Sequence, residues 1–372
     1  MKLCFKNTSN WKDPYALLFN NGQKISERID LLKDENQLFT FEFDNNVYDH
    51  FCICSEDGEK SNLLYPGDLE IGIEFKKNDV MNKNLTYLFS LNAEKTGRVE
   101  NFVLSDKTNL SHREDKSKKI SVFLPESYDG VTPHDILYFF DAQNLFANAG
   151  HYTENGDPYG SWQLDLVISQ LHRQYGKNII VVGIDNADMY RSQELFMDPA
   201  DFGDLSPLAT AIPEDDFSHG YLDGLSKFMT STLHEFIKNK YCVKEDNIGL
   251  GGSSMGGIAS FYCGLRECGF YKYILSYSPA FGLYEKSAFD NYFSKQKFET
   301  KQDKLPKVYI YCGGGDMLEE QLLPMSRQMK SLMVNYGYKA EKIFERYDNE
   351  KPHNEESWRL ILPESFSLLL DI

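Results

Sequence analysis

The run "NIIVVGID", residues 178–185, is apolar from end to end between its terminal Asn and Asp. A strand with one wet face alternates polar and apolar residues; a strand covered on both faces does not. This segment therefore needs helices above and below it. The neighbouring sequence supplies them. "ISVFLP" and "ILYFFD" read as strands, and "SWQLDLVISQLHRQYG" places Leu164, Val167, Ile168 and Leu171 at helical spacing. Residues 221–241 repeat that spacing with Leu222, Leu225, Phe228, Met229, Leu233, Phe236 and Ile237. Then come "NIGLGG", a serine-bearing turn, and a helix from about Met255. "YKYILSYSP" and "KVYIYCGGGD" read as strands, residues 318–336 as a helix, "EKIFERYD" as a strand, and "FSLLLDI" as the end of a closing helix. Strands alternating with helices predict an α/β fold with a doubly wound, mostly parallel sheet.

The first hundred residues have another rhythm. "YALLFN", "FTFEFD", "YDHFCICS", "LEIGIEF" and "TYLFSL" are short alternating runs separated by Asn, Asp, Gly and Lys clusters, the pattern of a small all-β sandwich. A chain of 372 residues exceeds one ordinary core. Two domains are expected: residues 1–96 as a β-sandwich, carbohydrate-binding-like or Ig-like, and residues 97–372 as the α/β domain. The polar stretch "SDKTNLSHREDKSKK", 105–119, is either a linker or a long hairpin loop.

A net charge of −17 disfavours nucleic acid and anionic membrane surfaces as partners. A homodimer is compatible with the sequence. The seven cysteines are an odd, scattered set that reads as buried thiols of a reducing compartment. The N-terminus lacks the apolar core of a signal peptide, and no apolar run approaches about 18 residues. A cytoplasmic location is expected.

The chemistry-bearing stretch is "IGLGGSSMGGIASF", 248–261. The pattern G-x-S-x-G fits one register, Gly252-Ser253-Ser254-Met255-Gly256, which makes Ser254 the candidate nucleophile. A sharp strand-to-helix turn forces its central residue into a strained backbone. Small residues two positions away let strand and helix pack closely around it. The Met255 N–H, at the helix start, would face the oxyanion of a tetrahedral intermediate. A glycine turn that binds phosphate or nothing is the bland alternative; neither a G-x-G-x-x-G nor a P-loop pattern fits here.

A serine hydroxyl needs a base. In such sheets the chain order is Ser, acid, His. Of eight histidines only His353 follows Ser254, between the last expected strand and the last helix. Asp316 ends "KVYIYCGGGD" and is the favoured acid, completing a triad. It could instead cap the next helix. Glu319 and Glu320 are rivals, and Asp348 a weaker one. A second oxyanion donor is expected from the loop Asp141–Phe146, as the N–H of Gln143 or a neighbour. Asn144 and Trp358 are candidates for touching substrate.

Together, "ISVFLPESYDG", "LYFFDAQNLF", "VVGIDN" followed by Arg191 and Glu194, "GGSSMGG", "SYSPAF", "VYIYCGGGD" and "HNEESW" with "LPESF" resemble the putative esterase family of serine α/β-hydrolases. That group contains esterase D and enterochelin-esterase-like enzymes. The resemblance runs from about Gly97 to the C-terminus. It implies ester or thioester hydrolysis through an acyl-serine, with no metal or organic cofactor. By motif, Ser254 carries over as nucleophile, Asp316 as acid and His353 as base. Ala142 stands where the family usually has glycine, which a negative φ would tolerate. Arg191 and Glu194 are read as structural, as an ion pair or a surface feature.

The segment "FKNTSNWKDPYALLFN" more faintly resembles starch-binding-type modules, in which Trp11 and Tyr15 would stack on a sugar. The same rings could fill the sandwich core, and enterochelin-type esterases carry an N-terminal β-domain that need not bind sugar. The expected substrate is a small-molecule or oligosaccharide ester, first an acetylated or feruloylated carbohydrate, then a siderophore ester or a thioester such as S-formylglutathione. A non-catalytic glycan-binding protein on a hydrolase scaffold and an acyltransferase are the other readings.

Overall fold

The structure is a computed structural model. It describes residues 2–5, 12–20, 25–33, 39–44, 47–48, 50–54, 56, 87–89, 97–146, 161–211 and 217–372. The N-terminal strands are β1 (Lys2–Phe5), β2 (Tyr15–Asn20), β3 (Ile25–Asp30), β4 (Leu32–Lys33), β5 (Phe39–Glu42), β6 (His50–Cys54) and β7 (Tyr87–Phe89). They form two small sheets, ordered β4-β5-β1-β7 and β3-β2-β6. Ala16 and Leu18 of β2, Phe51 and Ile53 of β6, and Phe41 of β5 pack into one core between them. The expected strand "LEIGIEF" lies outside the described residues.

The larger sheet comprises β8 (Gly97–Ser105), β9 (Ser117–Pro125), β10 (His134–Phe140), β11 (Ile179–Ile184), β12 (Val243–Ser253), β13 (Tyr273–Tyr277), β14 (Lys307–Gly313) and β15 (Ile343–Asp348). Their order is β15-β14-β13-β12-β10-β11-β9-β8. β10 to β15 run parallel, while β8 and β9 form an antiparallel hairpin at one edge. Residues 105–119 therefore include a hairpin loop and not an interdomain linker. Asp106 pins that loop by accepting the N–H groups of Thr108 and Asn109 and the Thr232 hydroxyl.

The continuous apolar runs are explained by burial on both faces. Ile136, Tyr138 and Phe140 of β10 enter one core, and Leu137 and Phe139 enter the other. β11 divides likewise into Ile180, Val182 and Ile184 against Ile179 and Val181. The helical spacing of 221–241 corresponds to Leu222–Phe228 and His234–Lys240 joined by a π-helical turn, Met229–Leu233. Among the described residues, no helix is long and apolar enough to cross a membrane.

β10 leads to β11 on one side of the sheet, and β12 leads to β13 on the other. The connections thus diverge between β10 and β12. A crevice opens at the carboxyl ends of two such strands. The residues after β10 and β12 are Asp141 and Ser254.

Candidate active site

Ser254 has φ 57° and ψ −119°, a backbone shape that L-residues adopt only under constraint. It caps the helix Met255–Arg266. Its N–H donates to Tyr277 O at 2.9 Å, and its carbonyl accepts from Ala280 N at 3.0 Å. The flanking glycines are required by close approach. A Cβ on Gly252 would lie 2.4 Å from Gly256 O, and one on Gly256 would lie 2.9 Å from Asp141 Oδ2. Ser254 is half-buried, and its hydroxyl has no hydrogen bond among the described residues. Ser253 is buried within the strand.

The parallel register carries this position across to the acid and the histidine. Ser253 aligns with Tyr277, Tyr277 with Tyr311, and Gly313 with Asp348. The segments that follow β12, β13, β14 and β15 therefore emerge at one end of the sheet, the carboxyl end of its parallel strands. Ser278, just past β13, donates to Glu319 Oε1 and accepts the Trp358 indole N–H at 2.8 Å. His353 Nδ1 lies 3.2 Å from that same Glu319 oxygen. The Trp358 ring stands edge-on to the imidazole at 4.9 Å.

Of the carboxylates expected as the acid, the one at the imidazole is Glu319, a rival of the favoured Asp316. Asp316 does not meet the imidazole: its Oδ1 accepts the Glu319 N–H at 2.9 Å and its Oδ2 accepts the backbone N–H of His353 at 2.6 Å. It is the N-cap of the helix Met317–Asn335. Burial alone would raise its pKa, but these N–H groups hold it below the ordinary value. Glu319 is completely buried, and its Oε2 lies 3.1 Å from the Cys312 sulfur. Gly313 makes room for it, since a Cβ there would come within 3.1 Å of Glu319 Cδ. Glu320 is exposed, and Asp348 accepts the Glu350 N–H at 3.3 Å.

After β10 the chain turns through Asp141, whose φ of 57° makes it the left-handed residue of this loop. Ala142 is not among the residues with positive φ, so alanine is compatible with the turn. Its methyl group has room because residue 183 is glycine: a Cβ there would lie 2.8 Å from Ala142 Cβ. Gln143 exchanges side-chain hydrogen bonds with Asn186, through Nε2 to Oδ1 at 3.0 Å and from the Asn186 N–H to Oε1 at 3.3 Å. The backbone N–H groups of Gln143 and Met255 have no acceptor among the described residues. Two donors are thus unused at the rim of the crevice.

Asn144 and Trp358 have structural partners instead of open faces. Asn144 Nδ2 donates to Glu355 Oε1 at 2.9 Å, tying the loop to the segment after His353. Trp358 is 3% exposed, stacks on Trp162 at 5.5 Å and packs edge-on against the histidine, which leaves little of its ring open to a substrate. Arg191 and Glu194 do not pair with each other. Arg191 holds Asp141, and Glu194 holds Lys118, His112 and Arg113. Trp11 lies outside the described residues. One face of the Tyr15 ring is covered by the Arg28 guanidinium at 3.7 Å.

Residues 111–369 match the family described as "Putative esterase". No curated protein matches the chain. Among solved structures, the siderophore hydrolase EstA from Aspergillus nidulans is 13% identical, with 74% of this chain and 95% of that chain covered and a TM-score of 0.56. The ferric enterobactin esterase from Salmonella typhimurium is 12% identical, with 98% and 91% covered and a TM-score of 0.51. The feruloyl esterase module from Clostridium thermocellum, complexed with sinapinate, is 13% identical, with 74% and 89% covered and a TM-score of 0.50. At these identities the likeness is one of fold.

Proposed function

Because the chain belongs to the "Putative esterase" family and is a carboxylic ester hydrolase, we propose that it cleaves its substrate through an acyl-serine on Ser254. In this reading the Ser254 oxygen attacks the ester carbonyl while His353 Nε2 takes its proton. The Met255 and Gln143 N–H groups hold the resulting oxyanion. His353 then gives the proton to the leaving alcohol as the tetrahedral intermediate collapses. Water, activated by the same imidazole, attacks the acyl-serine and releases the acid. Glu319 holds the imidazole through Nδ1 and stabilises its charged form.

The observation that carries the reading is the strained Ser254 at a helix start, with acceptor-free N–H groups at Met255 beside it and at Gln143 after the adjacent strand β10, and a histidine–carboxylate pair at the same end of the sheet. The test is p-nitrophenyl acetate hydrolysis by wild type and Ser254→Ala, with fluorophosphonate labelling of both. Activity and labelling confined to wild type support it. Equal background rates, with no labelling, would leave a glycan-binding protein on a hydrolase scaffold. Transfer of the acyl group to an added alcohol in preference to water would make it an acyltransferase.

For the substrate, we favour a siderophore-type ester. The likeness to the ferric enterobactin esterase extends over 98% of this chain and so includes the N-terminal sheets. Acetylated or feruloylated carbohydrate is the second reading, supported by the faint sugar-module resemblance and the feruloyl esterase module of the same fold. Rates on a catecholate lactone, a feruloyl ester and acetylated xylose rank them. No turnover of the lactone beside rapid turnover of a sugar ester would reverse the order.

A further inference from the structure

Beside the proposed oxyanion donors lies an ionic network that takes no direct part in the reaction. Asp141 is buried, and its Oδ2 lies against Gly256, one residue past Met255. Arg191 grips this carboxylate with both arms of its fork, Nε to Oδ1 at 2.7 Å and Nη2 to Oδ2 at 2.8 Å. Asn186 Nδ2 adds a third bond to Oδ1 at 2.8 Å and links through its own amide to Gln143. Arg191 is anchored in turn. It opens the short helix Arg191–Glu194, whose Glu194 is completely buried and ion-paired with the equally buried Lys118.

A buried carboxylate at this place creates an electrostatic conflict. The reaction develops negative charge beside Met255 N–H, and an unbalanced Asp141 carboxylate packed against the next residue, Gly256, would oppose it. Burial alone would raise the Asp141 pKa, yet Arg191 holds it lowered, so the pair is ionic. A planar fork matches the two carboxylate oxygens, which a lysine ammonium cannot do.

We propose that Arg191 is a positioning residue for the oxyanion hole: it fixes the 141–143 backbone through Asp141 and cancels that residue's charge where the oxyanion forms. The inference rests on the serine-hydrolase reading above. A purely structural ion pair would affect folding stability and leave turnover by the folded enzyme unchanged.

The test uses the full chain and p-nitrophenyl acetate. Arg191→Met is expected to lose about 100-fold in kcat with KM changed less than about threefold, since an oxyanion contact acts in the transition state. Arg191→Lys, which keeps charge without the fork, is expected to lose about tenfold. Added guanidinium should restore part of the rate of Arg191→Ala. The double variant Asp141→Asn with Arg191→Met should be faster than Arg191→Met alone, because no unpaired charge remains. Thermal melts identify unfolded variants, and Arg191→Lys keeps the test open if the others fail to fold. Unchanged kcat in folded variants, or strictly additive losses in the double variant, would overturn the proposal. Fluorophosphonate labelling separates the two levels. If wild type does not label, the serine reading falls, and this role with it. If wild type and Arg191→Met label at equal rates, only the role of Arg191 falls.

Discussion

The imidazole of His353 faces Glu319, with 3.2 Å between Nδ1 and Oε1, while Asp316 holds the backbone of both residues. One carboxylate meets the ring; the other fixes where the ring and its partner stand. Removing each should therefore have different consequences. Glu319→Gln is expected to lower kcat by roughly 10³–10⁴-fold with little change in KM, as for loss of a triad acid. Asp316→Asn keeps an oxygen for the Glu319 N–H but turns an amide nitrogen to the His353 N–H, so it should cost about tenfold in kcat and about 1 kcal/mol in stability from that lost hydrogen bond. Steady-state kinetics and urea melts check both. An Asp316→Asn variant as inactive as Glu319→Gln would return the acid role to position 316.

Trp358 tests whether the ring under the histidine positions or binds. Trp358→Phe keeps an aromatic edge against His353 but loses the N–H that Ser278 accepts. One hydrogen bond contributes about 1 kcal/mol, so kcat should fall by about fivefold to tenfold. KM should hold steady; a rise in KM at constant kcat would point to direct substrate contact.

Adding a methyl group at the serine turn should be costly. Gly252→Ala puts a Cβ against the Gly256 carbonyl, which is backbone and cannot swing aside. The expected loss is roughly 1–3 kcal/mol in urea unfolding, with activity falling more steeply as the turn opens. Wild-type stability in this variant would contradict the tight packing described here.

Acid should loosen the hairpin loop. Burial alone would raise the pKa of Asp106, but bonds from Asn109, Thr232 and Thr108 bring it down to about 2. A depressed carboxylate contributes stability that is full above its unfolded value and lost as pH falls through the folded one. The loss from this residue is expected as pH drops from about 4 towards 2. Asp106→Asn should be less stable than wild type at pH 7 and show a flatter decline over that window. Parallel pH profiles for the two proteins would count against it.

Much of the α/β sheet is legible in the chain, because residues 136–140 and 179–184 alternate between two buried faces and so lose all polar members. The serine turn is legible for a steric reason, since only glycine survives at 252 and 256. The acid is harder to read. Asp316 and Glu319 are three residues apart, and which one reaches the ring depends on where the helix begins. Glu319 is completely buried in a stretch whose neighbours Glu320 and Leu318 are exposed, and no local pattern marks it. The partners of Arg191 and Glu194 lie 50 and 76 residues away, at Asp141 and Lys118, beyond any local spacing rule. The stacking role expected for Tyr15 depends on a ring face that Arg28 covers, a contact set by the pairing of β2 with β3.

Ala142 and Gly183 share the room of a single methyl group. Among kindred sequences this coupling should leave a trace as correlated exchange. A lineage that restores glycine at 142 is free to acquire alanine at 183. Alanine at both would force the two strand ends apart, and that pairing should be missing.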